Sequence, residues 1–173
     1  MPFAYAFKDA AECARRESGL AAAVALEIAR VTGGRFSHVE CWIDGPQNAA
    51  VCFSSREPVG TSIETIDLTD SKLWTVVPVP ATLPAQDTLI TGFALGSSGR
   101  EYDMLGILGI GSGLGLHDPF DRFCSEAAFE LGQVCLGLFS KSIVRWMVAP
   151  SGRHVSGLRY GLFELLTDAD SAA

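Results

Sequence analysis

The Gly33-Gly34 pair separates two incompatible periodicities, and this constrains the fold more than any other stretch of the chain. Before it, Ala10, Cys13 and Ala14, then Leu20, Val24, Ile28 and Val31, recur at helical spacing across Phe7 to Val31. Ser18-Gly19 is a turn that can split this segment into two helices. After the glycines, Phe36, His38, Glu40 and Trp42 alternate with Ser37, Val39, Cys41 and Ile43, the period of a β-strand. Asp44 to Asn48 then make a turn, and Val51 to Ser55 return as a second strand, giving a β-hairpin with His38 near its start.

Further strands are expected at Ser62 to Leu68 and Trp74 to Val79, punctuated by Pro58, Gly60 and Asp70, so the sheet is small and mostly antiparallel. Pro84 opens a helix running to Leu95. Leu105 to Leu116 is apolar but broken by Gly106, Gly109, Gly111, Gly113 and Gly115, which suits a flexible loop. Asp118 or Asp121, with Pro119, supplies the start signal for a helix over Phe123 to Phe139, striped by Cys124, Ala127, Ala128, Leu131, Val134, Cys135 and Leu138. A last helix, Ser156 to Leu166, precedes an acidic tail. The class is α+β, and 173 residues fit one domain, 1–173.

Charge narrows the partners. With 13 Lys and Arg against 20 Asp and Glu, the net charge is −7, which leaves no basic face for phosphates and argues against nucleic acid. No basic segment leads into an apolar run near the start, so no secretory signal is expected and a cytoplasmic location is the default. The apolar stretch Ala127 to Pro150 carries Glu130, Lys141 and Arg145 and is a poor transmembrane span. The five cysteines, Cys13, Cys41, Cys52, Cys124 and Cys135, show no CxxC spacing, which speaks against a disulfide framework or a zinc knuckle and for a reducing compartment.

One of these cysteines is placed for chemistry. A thiolate in the first turn of a helix is favoured by unpaired backbone N–H groups and the helix dipole, and Cys124 has that position. The N–H groups of Cys124 and Ser125 can also receive the oxyanion of a tetrahedral intermediate. Cysteine chemistry needs a base on a separate rigid element, which His38 offers from its strand. Glu40 lies two residues on, on the same strand face, where a carboxylate can orient the imidazole. Tyr102 is a candidate for lining the site. Against this stand the plainer readings, a core cysteine at a helix start and a solvated strand glutamate. His117 and His154 have no metal-ligand partner at a recognisable spacing, and no GxGxxG, GxxxxGK[ST] or GxSxG motif occurs, so neither metal nor cofactor is expected.

With Phe36-Ser37-His38-Val39-Glu40 followed late in the chain by Phe123-Cys124-Ser125-Glu126, and Tyr102-Asp103 before the Cys helix, the sequence resembles the permuted NlpC-type group of papain-like enzymes, including its YiiX-like and LRAT-like relatives. The motif order carries the resemblance, because unpermuted members place the Cys helix before the His strand. It spans roughly Gly33 to Leu136. It implies an antiparallel sheet or half-barrel packed on the Cys helix, and thiol-based hydrolysis or acyl transfer at peptide, amide or acyl-ester bonds, as in cysteine peptidases and amidases. Cys124 matches the nucleophile and His38 the base. For the third polar residue Glu40 is the first choice; in several relatives it comes from the neighbouring strand, where this chain offers Ser54, Ser55 and Glu57. The rival readings are a non-catalytic binding module of the same fold, a lipid acyltransferase with Leu105 to Leu116 as an apolar lid, and a structural protein.

Overall fold

A computed structural model describes residues 3–79, 84–103, 118, 120–143, 148–150 and 160–169. It is a mixed α+β structure whose centre is a five-stranded antiparallel sheet. The strands are β1 (Ala4–Asp9), β2 (Phe36–Asp44), β3 (Ala50–Arg56), β4 (Gly60–Ile66) and β5 (Trp74–Pro78). Their order, β4-β3-β2-β1-β5, leaves β4 and β5 at the edges, so the sheet is open.

The first strand departs from the sequence expectation of helix from Phe7. Tyr5 and Phe7 of β1 face the main core and Ala6 the smaller cluster on the opposite side of the sheet, so both faces are covered, and Ala-Tyr-Ala-Phe is an unbroken apolar run without the alternation that marks a half-exposed strand. Asp9 ends it and caps α1 (Ala10–Arg16), its Oδ1 accepting the Glu12 N–H at 2.9 Å. The break at Ser18-Gly19 separates α1 from α2 (Leu20–Thr32), and Gly33, at φ 66°, closes α2 in the left-handed conformation.

The alternation in β2 is also interrupted. Lys8 pairs with His38 but Asp9 with Phe36, so Ser37 is the extra residue of a bulge. Phe36 consequently joins Val39 and Cys41 in the main core instead of sharing a face with His38, Glu40 and Trp42. That core brings Tyr5, Phe7, Phe36 and Phe53 of the sheet against Ile90 and Ala94 of α3 (Pro84–Ser97) and Ala127, Ala128, Phe129 and Leu131 of α4 (Cys124–Leu131). Each such phenylalanine, wholly buried, contributes roughly 1.5–3 kcal/mol of apolar transfer. Phe163, on α5 (Leu162–Ala169), meets Phe7 edge-on at 5.2 Å and 86°. A smaller cluster of Ala6, Ala50, Cys52, Leu68 and Trp74 covers the sheet's other face.

The Cys-bearing helix is shorter than the stripe to Phe139 predicts. After Leu131 the ladder widens into a π-helical turn, Gly132–Leu136, ended by Gly137 at φ 68°. Gly132 explains the position of this change. A Cβ there would stand 2.2 Å from the Tyr5 hydroxyl and 2.7 Å from Phe139 Cε2, and the same hydroxyl donates to the Ala128 carbonyl at 3.2 Å.

Two other expectations change. Neither Asp118 nor Asp121 caps α4: Phe123 holds that position, and Asp118 Oδ1 accepts the Phe120 N–H at 2.8 Å instead. Among the described residues the last helix begins at Leu162, because Tyr160–Gly161 (β7) is extended and pairs in parallel with Val148–Ala149 (β6), and its expected start at Ser156 lies outside the described residues. The glycine-rich segment Leu105 to Leu116, His117 and His154 lie outside the described residues. Among the described residues no helix is long and apolar enough to cross a membrane.

Candidate active site

The N-terminus of α4 is held in place from both sides. Just before it, the Arg122 carbonyl accepts the Ser55 hydroxyl of β3 at 2.5 Å, and the Arg122 side chain reaches Glu130 Oε2, eight residues further on, at 2.7 Å. Ser125 Oγ donates to the Val148 carbonyl at 2.6 Å, tying the first turn to β6. Glu126 Oε2 accepts the Phe123 N–H at 3.3 Å, while the phenyl ring at the cap offers no acceptor to the helix. The first-turn N–H groups of a helix have no partner within it. Cys124 is the first residue of this helix and is 2 % exposed, so its sulfur is sealed except toward a narrow recess formed with Ile28, Val31, Thr32, Ser37, Phe123 and Pro150.

His38 sits beside the β2 bulge and is 16 % exposed. Its Nε2 lies 2.7 Å from Glu40 Oε1, and its second hydrogen-bond and charge partner is Cys124. With Nε2 directed at the carboxylate, Nδ1 is the ring nitrogen not engaged by Glu40. Burial alone would depress the imidazolium, but the charges of Cys124 and Glu40 and the hydrogen bonds to both outweigh it, raising the His38 pKa from 6.5 to about 9. The structure thus brings together three residues singled out from the sequence, Cys124, His38 and Glu40.

The alternative third residues are placed differently. Ser54 Oγ is 3.5 Å from His38 Nε2 and spends its proton on the Val39 carbonyl at 2.7 Å. Ser55 is turned to Arg122, on the other face of β3. Glu40 has the shorter contact with His38 and carries charge, which makes it the stronger orienting group.

Tyr102 packs on Phe123 and Ala149, and its phenol is pushed well above 10, first by burial and then by the neighbouring charges of Cys124 and Glu57. It therefore stays protonated beside the sulfur.

A cleft of about 450 Å³ opens on His38. One wall carries Lys8, Ser37, His38, Arg56, Glu57 and Tyr102; the other is α2, presenting Leu20, Ala21, Val24, Ala25 and Ile28. Ile28 and Ser37 belong to both this cleft and the recess at Cys124, so the two adjoin. On the cleft wall Lys8 pairs with Glu17 at 2.7 Å, a hydrogen bond that heads the causes of the lowered Glu17 pKa.

Sequence reading did not single out Arg56, whose Nη2 reaches Glu40 Oε1 at 3.2 Å and Glu64 Oε2 at 3.0 Å. The signal was the period-2 pattern of the hairpin, which puts Ser54 and Arg56 on the face of β3 shared with Cys52 and, across the ladder, Glu64. The apolar stripe of α2, read from the sequence only as helical spacing, lines this cleft and stays partly open there. Among the described residues no group of three or more His, Cys, Asp or Glu is placed to hold a metal ion. No family model, curated protein or solved structure matches the chain.

Proposed function

We propose that the protein is a cysteine-nucleophile hydrolase of permuted papain-like, NlpC-type architecture, acting on amide or ester bonds through a thiol acyl-enzyme. One observation carries the reading: a cysteine that opens a helix lies close enough to an imidazole for its charge to raise that ring's pKa, and the ring's Nε2 is held by a buried carboxylate at 2.7 Å. The chain order, base on an early strand and nucleophile on a late helix, supports the permuted arrangement.

In the reaction His38 accepts the proton of Cys124 and the thiolate attacks the substrate carbonyl carbon. The oxygen takes up the electron pair at the N–H groups of Cys124 and Ser125, where the positive end of the helix dipole lies. As the tetrahedral intermediate collapses, the imidazolium gives its proton to the departing amine or alkoxide. His38 then takes a proton from water, whose oxygen attacks the acyl-enzyme, and returns it to the sulfur. Glu40 fixes the ring and faces the imidazolium throughout.

A second reading, transfer of an aliphatic acyl group to an acceptor other than water, is favoured by the exposed apolar face of α2. Leu20 is 80 % and Val24 41 % exposed on the cleft wall, where a hydrocarbon chain would cover them.

The test is the pH dependence of thiol alkylation, mapped by mass spectrometry in the wild type, Cys124→Ser and His38→Ala. Labelling of Cys124 ahead of the other four cysteines, lost without His38, is the expected result. Equal, slow labelling of all five would overturn the reading in favour of a non-catalytic binding module. With a substrate in hand, Cys124→Ala is expected to abolish turnover and preserve the fold.

A further inference from the structure

We propose that Arg56 is a positioning residue for this site: through Glu40 it sets the orientation and charge balance of His38 without touching the reacting atoms. The inference rests on the hydrolase reading and extends it to the edge of the sheet.

The geometry forms a relay of four charged side chains. Glu40, 2 % exposed, uses one oxygen for everything: Oε1 meets His38 Nε2 at 2.7 Å and Arg56 Nη2 at 3.2 Å. Its other oxygen, Oε2, is buried without a hydrogen-bond partner, so the carboxylate is located by those two contacts. The same Arg56 nitrogen meets Glu64 Oε2 at 3.0 Å, and Ser62 holds the other Glu64 oxygen at 2.9 Å. A carboxylate taken out of water costs several kcal/mol unless a counter-charge is present. Imidazolium supplies one only while His38 holds its second proton, and catalysis requires that proton to leave. The guanidinium, protonated at every accessible pH, remains when His38 is neutral. Glu40 then stays an acceptor, Nε2 keeps its hydrogen, and Nδ1 stays free for the thiol.

Arg56→Gln removes this permanent charge and leaves imidazolium as the only counter-charge to Glu40. His38 is then expected to titrate higher, by about one pH unit for a lost pair at this range. The other groups that face His38 remain: Cys124 from α4, Lys8 opposite on β1, and Glu17 after α1.

The experiment follows the His38 ring by NMR against pH in the wild type, Arg56→Gln and Arg56→Lys, and repeats Arg56→Gln in a Glu40→Gln background, alongside Cys124 alkylation. Expected are the upward shift in Arg56→Gln, a midpoint near wild type in Arg56→Lys, and disappearance of the shift when Glu40 is already Gln. Should Arg56→Gln not fold, Glu64→Gln probes the relay from its half-exposed end. It lets Arg56 act on Glu40 alone and moves the midpoint downward. An unmoved midpoint in a folded Arg56→Gln, or an equal shift without Glu40, would overturn the role of Arg56. If Cys124 alkylates preferentially while the midpoint stays put, only the role of Arg56 falls. If Cys124 is unreactive in the wild type, the hydrolase reading falls, and the role of Arg56 in it falls too.

Discussion

Replacing Cys124 by Ala should move the titration of a residue 86 positions away in sequence (124 − 38), and the size of the move follows from the site. His38 titrates at about 9 instead of 6.5, which at about 1.4 kcal/mol per pH unit corresponds to a preference of roughly 3 kcal/mol for the imidazolium. Burial works against that preference, the charge of Cys124 contributes the most toward it, and Glu40 the next most. Without the sulfur, Glu40 is the main group left to oppose burial, so more than half of the preference should go, about 2 kcal/mol or roughly 1.5 pH units. Because the folded value lies above the unfolded one, the stability His38 supplies is fully present below 6.5 and is lost as the pH rises through about 9. The denaturant midpoint of the wild type should therefore fall over that interval, and that of Cys124→Ala should fall less. Histidine Cε1–H correlation spectra read His38 directly among three histidines. A midpoint unmoved by Cys124→Ala, or a wild-type midpoint at or below 6.5, would refute the coupling on which the site is built.

Three structural predictions accompany it. Tyr5→Phe deletes the buried hydrogen bond to the Ala128 carbonyl and should lower unfolding free energy by about 1 kcal/mol in urea titrations. Gly132→Ala forces a methyl against the Tyr5 hydroxyl and the Phe139 ring and should cost about 1–3 kcal/mol, a loss that thermal melts should show to be smaller when Tyr5 is already Phe. Asp9→Ala removes the cap of α1 and the partner of Arg35, for about 1 kcal/mol at neutral pH. Burial opposes but does not prevent a lowered Asp9 pKa, which the Glu12 N–H and Arg35 hold down. Its contribution is thus present above 3.8 and lost as the pH falls through the folded value, and wild type and variant should converge in acid.

Strands bounded by turn residues were legible in the sequence, and the apolar first strand, which runs straight into a helix, was not. β3, β4 and β5 begin or end within two residues of where turn chemistry and alternation place them, and α3 starts at its proline. β1 was hidden because burial of both its faces, Tyr5 and Phe7 in the main core and Ala6 in the smaller cluster, erases alternation. The bulge at Ser37 was equally hidden, since one unpaired residue leaves no mark on composition. At the site, Cys124, His38 and Glu40 were legible from helix start and strand period. Arg56 and Glu64 were not, because their relevance lies in a cross-strand register that only the folded sheet supplies. The end of α4 was set by a tertiary contact, the Tyr5 hydroxyl against Gly132, which no local propensity encodes.

The wide chain separation between His38 and Cys124 bears on synthesis. The five strands of the sheet are complete by Pro78, whereas the helix that packs on β2 and β3 begins only at Cys124. As the chain leaves the ribosome, the imidazole and its carboxylate can be assembled well before the thiol is made. The thiol is then the last of the three side chains to be made. A chain cut short before Cys124 would carry His38 and Glu40 without the thiol that completes the candidate site.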